Sequence, residues 1–303
     1  STHSPFMIQQ SLLQTIGLVR KTPTNGTGVT EFHKVLNSLE PRNRNTLTQI
    51  QNISSYIFAD KVLLTEGESD KLIIKKLSKK LNPEWNFDDK GIPILPVLGK
   101  GLLPLFHDFM ISLGIEPYTL LDLDCIERVV NSLFDDSEIH DAQSELMQQC
   151  HRLAEQGEFE ARVNKDYIND IIESYTWREV IEELGELFDN LNDGNEPEKE
   201  HLGALQRLIE KPEKDAWKLA LVSDHKNVVP LRSAIVELLL EKNILLLNGT
   251  IEDYYPGDVG NKITSALEFN PDDYSIDEIT RYFTELPESD STDTEIFLQK
   301  IFT

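Results

Sequence analysis

The chain has 303 residues, 39% hydrophobic and 27% charged, enough for one large domain or two smaller ones of ordinary globular composition. No apolar run approaches the roughly 20 residues that cross a bilayer, and no basic stretch leading into an apolar segment opens the chain. Neither a membrane span nor a signal peptide is therefore expected. The formal charge of −24 weighs against a uniformly basic nucleic-acid binder. The excess is local, however: residues 126–216 hold 24 acidic against 9 basic side chains, a net of −15, which leaves −9 for everything else. Cys125 and Cys150 are the two cysteines and sit in no ligand spacing, which points to a reducing cytoplasm and argues against structural zinc.

In chain order, Phe6–Ile16 is apolar and helix-compatible, and 18–36 reads as short strands or loops around the turn signal Thr22-Pro23-Thr24-Asn25-Gly26. A polar link at Pro41–Asn45 leads to a helix over Ile50–Ile57. Alternation of strands and helices begins at Lys61. The strand Lys61–Thr65 is followed by a helix over Ser69–Leu81, and the strand Ile92–Val97 by a helix over Leu102–Leu113. Pro93 and Pro96 give the second strand an edge or terminal position. Tyr118–Leu123 is a third strand. Helices of this length between strands imply right-handed crossovers and a mainly parallel sheet.

From Cys125 to about Pro212 the pattern is nearly all helical, with a loop at Asn190–Glu200. The sheet pattern resumes with Trp217–Val222, then a helix over Leu231–Lys242 and the strand Ile244–Leu247. The expectation is an α/β fold: a parallel sheet with helices on both faces and a helical insertion. Its parts are a first half at 61–125, an acidic insertion at 126–216, and a second half with a tail at 217–303.

In an open parallel sheet, functional groups collect at the carboxyl ends of the strands. The first strand ends in Thr65-Glu66-Gly67-Glu68-Ser69-Asp70 and the third in Leu121-Asp122-Leu123-Asp124. The last runs into Asn248-Gly249-Thr250-Ile251-Glu252-Asp253. Three strand ends thus deliver carboxylates to one edge. Such a cluster repels itself unless a cation is present, and hard divalent ions such as Mg²⁺ take oxygen ligands. Glu66 with Asp70, taken alone, reads equally well as a helix start with acidic residues in its first turn. Asp253 reads as a cap or a solvent-facing residue. Gly99 and Gly101 shape a loop, and Lys100 between them is either a phosphate contact or an ordinary surface lysine. Ser223-Asp224-His225 tempts a hydrolase reading, but three adjacent residues cannot fold back into a triad.

The Glu-Gly-x-x-Asp turn after an apolar strand, with the later Asp-x-Asp, resembles the Toprim fold of topoisomerases, primases and OLD (overcoming lysogenization defect) nucleases. Leu64-Thr65-Glu66-Gly67-Glu68-Ser69-Asp70 and Pro96-Val97-Leu98-Gly99-Lys100-Gly101 are most similar to the OLD version. Ser1-Thr2-His3-Ser4-Pro5 resembles the switch-histidine loop near the end of the ABC-type ATPase that precedes Toprim in OLD proteins. No phosphate loop of the Gly-x-x-x-x-Gly-Lys-Ser/Thr type occurs in the chain. The resemblance implies a carboxyl-terminal piece, with residues 1–60 the end of an ATPase domain and its linker, and ATP (with His3) relevant only in a complete ATPase.

It further implies a cytoplasmic DNA endonuclease or nickase using Mg²⁺ or Mn²⁺, with two ions about 3.5–4 Å apart in sites of this type. Glu66, Asp122, Asp124 and Glu252 would be the catalytic carboxylates, with Asp70 and Thr250 completing the metal shell. A lysine near the transition state is implied too, and Lys262 and Lys300 both remain open for it. DNA, a homodimer or larger assembly, and a partner protein in bacterial or phage defence are the implied partners. Two rivals stand beside this reading: a topoisomerase- or primase-type Toprim enzyme, for which Tyr254 or Tyr255 would matter, and a non-catalytic assembly subunit whose acidic helices bind a basic partner.

Overall fold

The computed structural model describes residues 15–22, 26–48, 56–159, 185, 188–189, 192–194, 216–254, 261–281, 283–286, 289 and 291–303. His3, most of the expected Phe6–Ile16 and Ile50–Ile57 helices, Tyr255 and the helical pattern at 168–184 lie outside these residues. By contacts the chain forms two compact units, one of 1–143 with 233–303 and one of 144–232.

The first unit is built on a four-stranded parallel sheet flanked by helices. Strand β3 (Lys61–Thr65) has its last four side chains buried, and β5 (Glu116–Leu121) its last five. Strand β6 (Ile244–Leu246) is buried throughout. Continuous burial, rather than alternation, is what strands covered on both faces require, and it explains their unbroken aliphatic runs. The order is β4-β3-β5-β6, with Leu64 opposite Leu95 of β4 (Ile94–Pro96) and opposite Thr119 of β5, and Leu120 opposite Leu245. The proline-flanked β4 takes the edge, where a missing ladder N–H costs least.

The helix Glu68–Leu81 follows β3, and its Ile73, Ile74 and Leu77 are buried at helical spacing. The helix Leu103–Ser112 follows β4 and buries Leu103, Phe106, Phe109 and Met110. The closing helix Asp293–Phe302 packs Phe297 edge-on to Tyr118, with ring centroids 5.7 Å apart. Lys61 Nζ donates to the carbonyls of Lys300 and Ile301 at its far end. A separate antiparallel hairpin, β1 (Gly17–Thr22) with β2 (Gly26–Glu31), leads into the helix Phe32–Ser38. Phe32 there meets Phe109 edge-on at 5.6 Å. The chain passes from β3 outward to β4, then crosses to the other side of β3 to lay down β5 and β6. The strand order therefore reverses between β3 and β5, which places a crevice at their carboxyl ends.

In the second unit one element departs from the sequence expectation. Trp217–Val222 is helical, not a strand. Ala216, Trp217, Ala220 and Leu221 are buried and Leu219 and Val222 exposed, a helical repeat that the apolar composition of this short segment hides. Trp217 packs on His151 with ring centroids 5.5 Å apart, and buried Arg232 donates to the carbonyls of Leu221 and Ser223.

Candidate metal centre

The turn after β3 is fixed by its own side chains. Thr65 Oγ1 donates to the Gly67 carbonyl at 3.1 Å, and the buried Asp70 accepts from the Gly67 N–H at 2.8 Å and from Ser69 Oγ at 3.3 Å. Asp70 thus stands where an acidic residue caps a helix start, three residues beyond the cap. The consequence for function is that Glu66 leaves the sheet on a backbone held at both ends. Its carboxyl is raised above the usual glutamate range by burial, a rise that Lys100 opposes and that Asp70 and Asp124 reinforce.

At the end of β5, Asp122 Oδ1 accepts from the Ile251 N–H at 3.1 Å, while the Leu123 N–H donates to the Gly249 carbonyl at 2.8 Å. These two bonds tie the β5 and β6 ends together. Asp122 is pushed up to about 8, first by burial, then by repulsion from Asp70, Glu252 and Glu66 in that order. Four carboxylates from three strand ends therefore share one electrostatic environment.

Two lysines stand against this group. Lys100 Nζ is paired with Asp124 Oδ2, and Lys262 Nζ lies 2.7 Å from Glu252 Oε1. The Glu252 carboxyl would be raised by burial, but the bonds from Lys262 and Thr250 outweigh this and leave it below its ordinary value. Among the described residues no three His, Cys, Asp or Glu side chains converge closely enough to hold a metal ion. The donor chemistry nevertheless fits one: every contributing side chain is an oxygen donor, as hard divalent cations require.

Residues 57–124 match the family model described as the overcoming lysogenization defect protein-like TOPRIM domain. This stretch is similar to an OLD-like Toprim domain. Among solved structures, the C-terminal region of the OLD protein of Xanthomonas campestris pv. campestris is 23% identical, over 62% of this chain and 96% of that one. The TM-score of that pair is 0.25. No curated protein matches.

The matched stretch contains Glu66, Asp70, Asp122 and Asp124, whereas Thr250 and Glu252 lie beyond it and follow β6. Asp253 serves the turn: its Oδ2 accepts from the Thr250 N–H at 2.8 Å and from Thr250 Oγ1 at 3.3 Å. Gly249 is tightly fitted, with φ +118° and space for a Cβ only 2.4 Å from Asp253 Oδ2. Of the two lysines left open by sequence, Lys262 stands at the cluster, while Lys300 Nζ donates to the Leu240 carbonyl at 2.7 Å. Tyr254 is buried, and its hydroxyl accepts from the Asn248 N–H at 2.8 Å, so it is a structural group rather than an accessible nucleophile. The Ser223 hydroxyl donates to the Ala220 carbonyl, and His225 Nε2 lies 3.3 Å from Glu158, which removes the hydrolase reading of that tripeptide. The sequence leaves Lys100 open between a phosphate contact and a surface lysine. Its partner Asp124 is 24 residues away and only the fold brings them together.

Proposed function

We propose that this chain is a metal-dependent DNA nuclease that cuts phosphodiester bonds at the carboxyl ends of β3, β5 and β6. The observation that carries the reading is the Asp122 carboxyl, half-buried at the strand-order reversal beside Glu66, Asp70 and Glu252 and pushed up to about 8. A carboxylate so placed is costly to ionise unless a cation shares the site, and strongly shifted acids in a crevice mark functional centres. The match of 57–124 to the Toprim model points the same way.

In this reading Glu66, Asp122 and Asp124 hold divalent metal, with Asp70, Thr250 and Glu252 completing the shell. Bound Mg²⁺ or Mn²⁺ would supply an activated water and neutralise charge on the leaving oxygen. Asp70 holds the Glu66–Gly67 turn in place as well as adding charge. Lys262 is the cation for the charge that develops on the transferred phosphate, since Lys300 is occupied at the end of another helix. Glu252 keeps Lys262 protonated and oriented: the bond to Glu252 is the main reason its ammonium is held above the ordinary lysine value. Homo-oligomers, a cytoplasmic location and a role in bacterial or phage defence belong to the same proposal through the family resemblance.

The test is incubation of supercoiled plasmid with the purified chain across Mg²⁺, Mn²⁺ and Ca²⁺ titrations without ATP. Relaxed or linear product that EDTA abolishes is the expected result. Intact plasmid under all three metals would overturn the reading.

A further inference from the structure

We propose that the loop Val97–Lys100 is a nucleic-acid contact, in which Lys100 takes a backbone phosphate and Leu98 packs on the adjoining deoxyribose of the same strand. The inference rests on the nuclease reading above and says where the substrate strand runs.

Its first support is the backbone. The Val97 N–H donates to the Thr65 carbonyl at 2.9 Å and the Gly99 N–H donates to the Glu66 carbonyl at 3.1 Å. Leu98, between these two anchors, is forced to φ +60°. Glycine or asparagine would take that conformation with less strain, and leucine is an unusual choice for it. Nor does packing explain the residue, since Leu98 is 77% exposed, the most exposed of the large apolar side chains described. A strained backbone persists where surroundings over-determine it, and it concentrates at ligand sites. Here the surroundings are the two carbonyls of the Thr65-Glu66 step, so the loop is locked to the same backbone that presents Glu66.

The second support is charge. At −24 the protein repels a polyanion as a whole, so attraction must come from cations placed locally. At this edge two are present. Strand β4 leads to Lys100, which pairs with Asp124, and Lys262 pairs with Glu252 beyond the end of β6. A strand laid on this edge meets cations as well as the carboxylates that follow β3 and β5. The loop also leaves room for it: Gly99 and Gly101 flank Lys100, and no heavy atom lies within 4 Å of where a Cβ on either would stand. Lys100 is about half exposed while paired with Asp124, so its ammonium can reach a phosphate without crossing buried ground.

The experiment is fluorescence anisotropy of a labelled DNA duplex of about 30 base pairs in EDTA, read as affinity against salt concentration. Without divalent metal, cutting does not enter the readout. Lys100→Ala is expected to lower the slope of log affinity against log salt by about 0.9 and to weaken binding about eightfold at 0.1 M salt, one released counterion. Leu98→Gly is expected to weaken binding while keeping or raising Tm, because it relieves the positive φ. Lys90→Ala, the same charge change at an exposed lysine outside the loop, should leave the slope unchanged. Binding at wild-type affinity and slope by both loop variants would overturn the proposal, even if the wild type cuts plasmid and the nuclease reading stands. An equal effect from Lys90→Ala would overturn it in favour of bulk charge. A wild-type chain that neither binds DNA nor cuts it would overturn both readings together.

Discussion

Lys76 Nζ donates to the carbonyl of Phe269 at 2.6 Å, and it also bonds the carbonyls of Ala266 and Leu267 at 2.9 and 2.8 Å. These oxygens lie at the carboxyl end of the helix Lys262–Glu268, where helix geometry runs out of intrahelical donors. A helix of 7 residues does not hold itself in water and depends on such ties. Lys76 lies on the helix Glu68–Leu81, whose first turn contains Asp70. One ammonium thus couples the element that fixes Glu66 to the element that begins with Lys262.

Lys76→Met should therefore loosen Lys262–Glu268 and cost about 1–3 kcal/mol of stability. Faster amide hydrogen exchange over 265–269 is the expected signature. Plasmid cutting should fall by about tenfold or more, since small misplacements of a reacting group are costly. Lys76→Arg, which can still donate to the carbonyls, should restore much of both. The two losses should also be non-additive with Lys262→Ala if Lys76 acts through Lys262. Unchanged exchange in Lys76→Met would show that the contact does not hold the helix.

None of this was legible in the sequence, where 190 or more residues separate Lys76 from its acceptors. What could be read was the set of strand ends. Buried parallel strands leave unbroken aliphatic runs, and the residues that follow them gather at one edge, so order alone brings the carboxylates after β3, β5 and β6 together, while the resemblance singles out Glu66, Asp122, Asp124 and Glu252 among them. Pro93 and Pro96 gave away the edge position of β4. Trp217–Val222 was not readable as helix, because six largely apolar residues fit either period. The choice between Lys262 and Lys300 also needed the fold: both lie beyond the last strand, and only packing decides which reaches Glu252.

The pH dependence of stability follows from Asp122. Its carboxyl is pushed from an ordinary 3.8 up to about 8, by burial first and then by Asp70, Glu252 and Glu66. Between those values the folded chain holds a proton that the unfolded chain releases. Stability in EDTA should therefore fall as pH rises through that window. Asp122→Asn should flatten the slope. Tm against pH for the two proteins checks this, and a wild-type Tm that rises from pH 5 to 8 would contradict it. Mg²⁺ or Mn²⁺ added near pH 8 should raise the wild-type Tm, with a gain of about 2.7 kcal/mol at 100-fold saturation. That gain should be small or absent in Asp122→Asn.

Gly249 offers a test of the β6 end. A Cβ at this position would stand 2.4 Å from Asp253 Oδ2, and its φ of +118° disfavours any side chain. Gly249→Ala should break the Thr250–Asp253 turn and shift Glu252 together with Lys262. We expect a stability loss of about 1–3 kcal/mol, from the strained backbone, and a larger fractional loss of cutting. Asp253→Ala should lose less stability, because it gives up the bonds from Thr250 without forcing a side chain into a positive φ. A Gly249→Ala protein with wild-type Tm and wild-type cutting would show that the turn does not position the site.

The central claim is that carboxylates from three strand ends act together on a divalent ion at the scissile phosphate. Single-turnover cutting of supercoiled plasmid in saturating Mn²⁺ by Glu66→Gln and Asp122→Asn tests it most directly, because each carboxamide keeps the shape and removes the charge. Both proteins are expected to stay folded and to bind DNA, and to cut at least about 100-fold more slowly than wild type, of the order found when charge stabilisation at a reacting centre is removed. Wild-type cutting by either folded variant would contradict the claim.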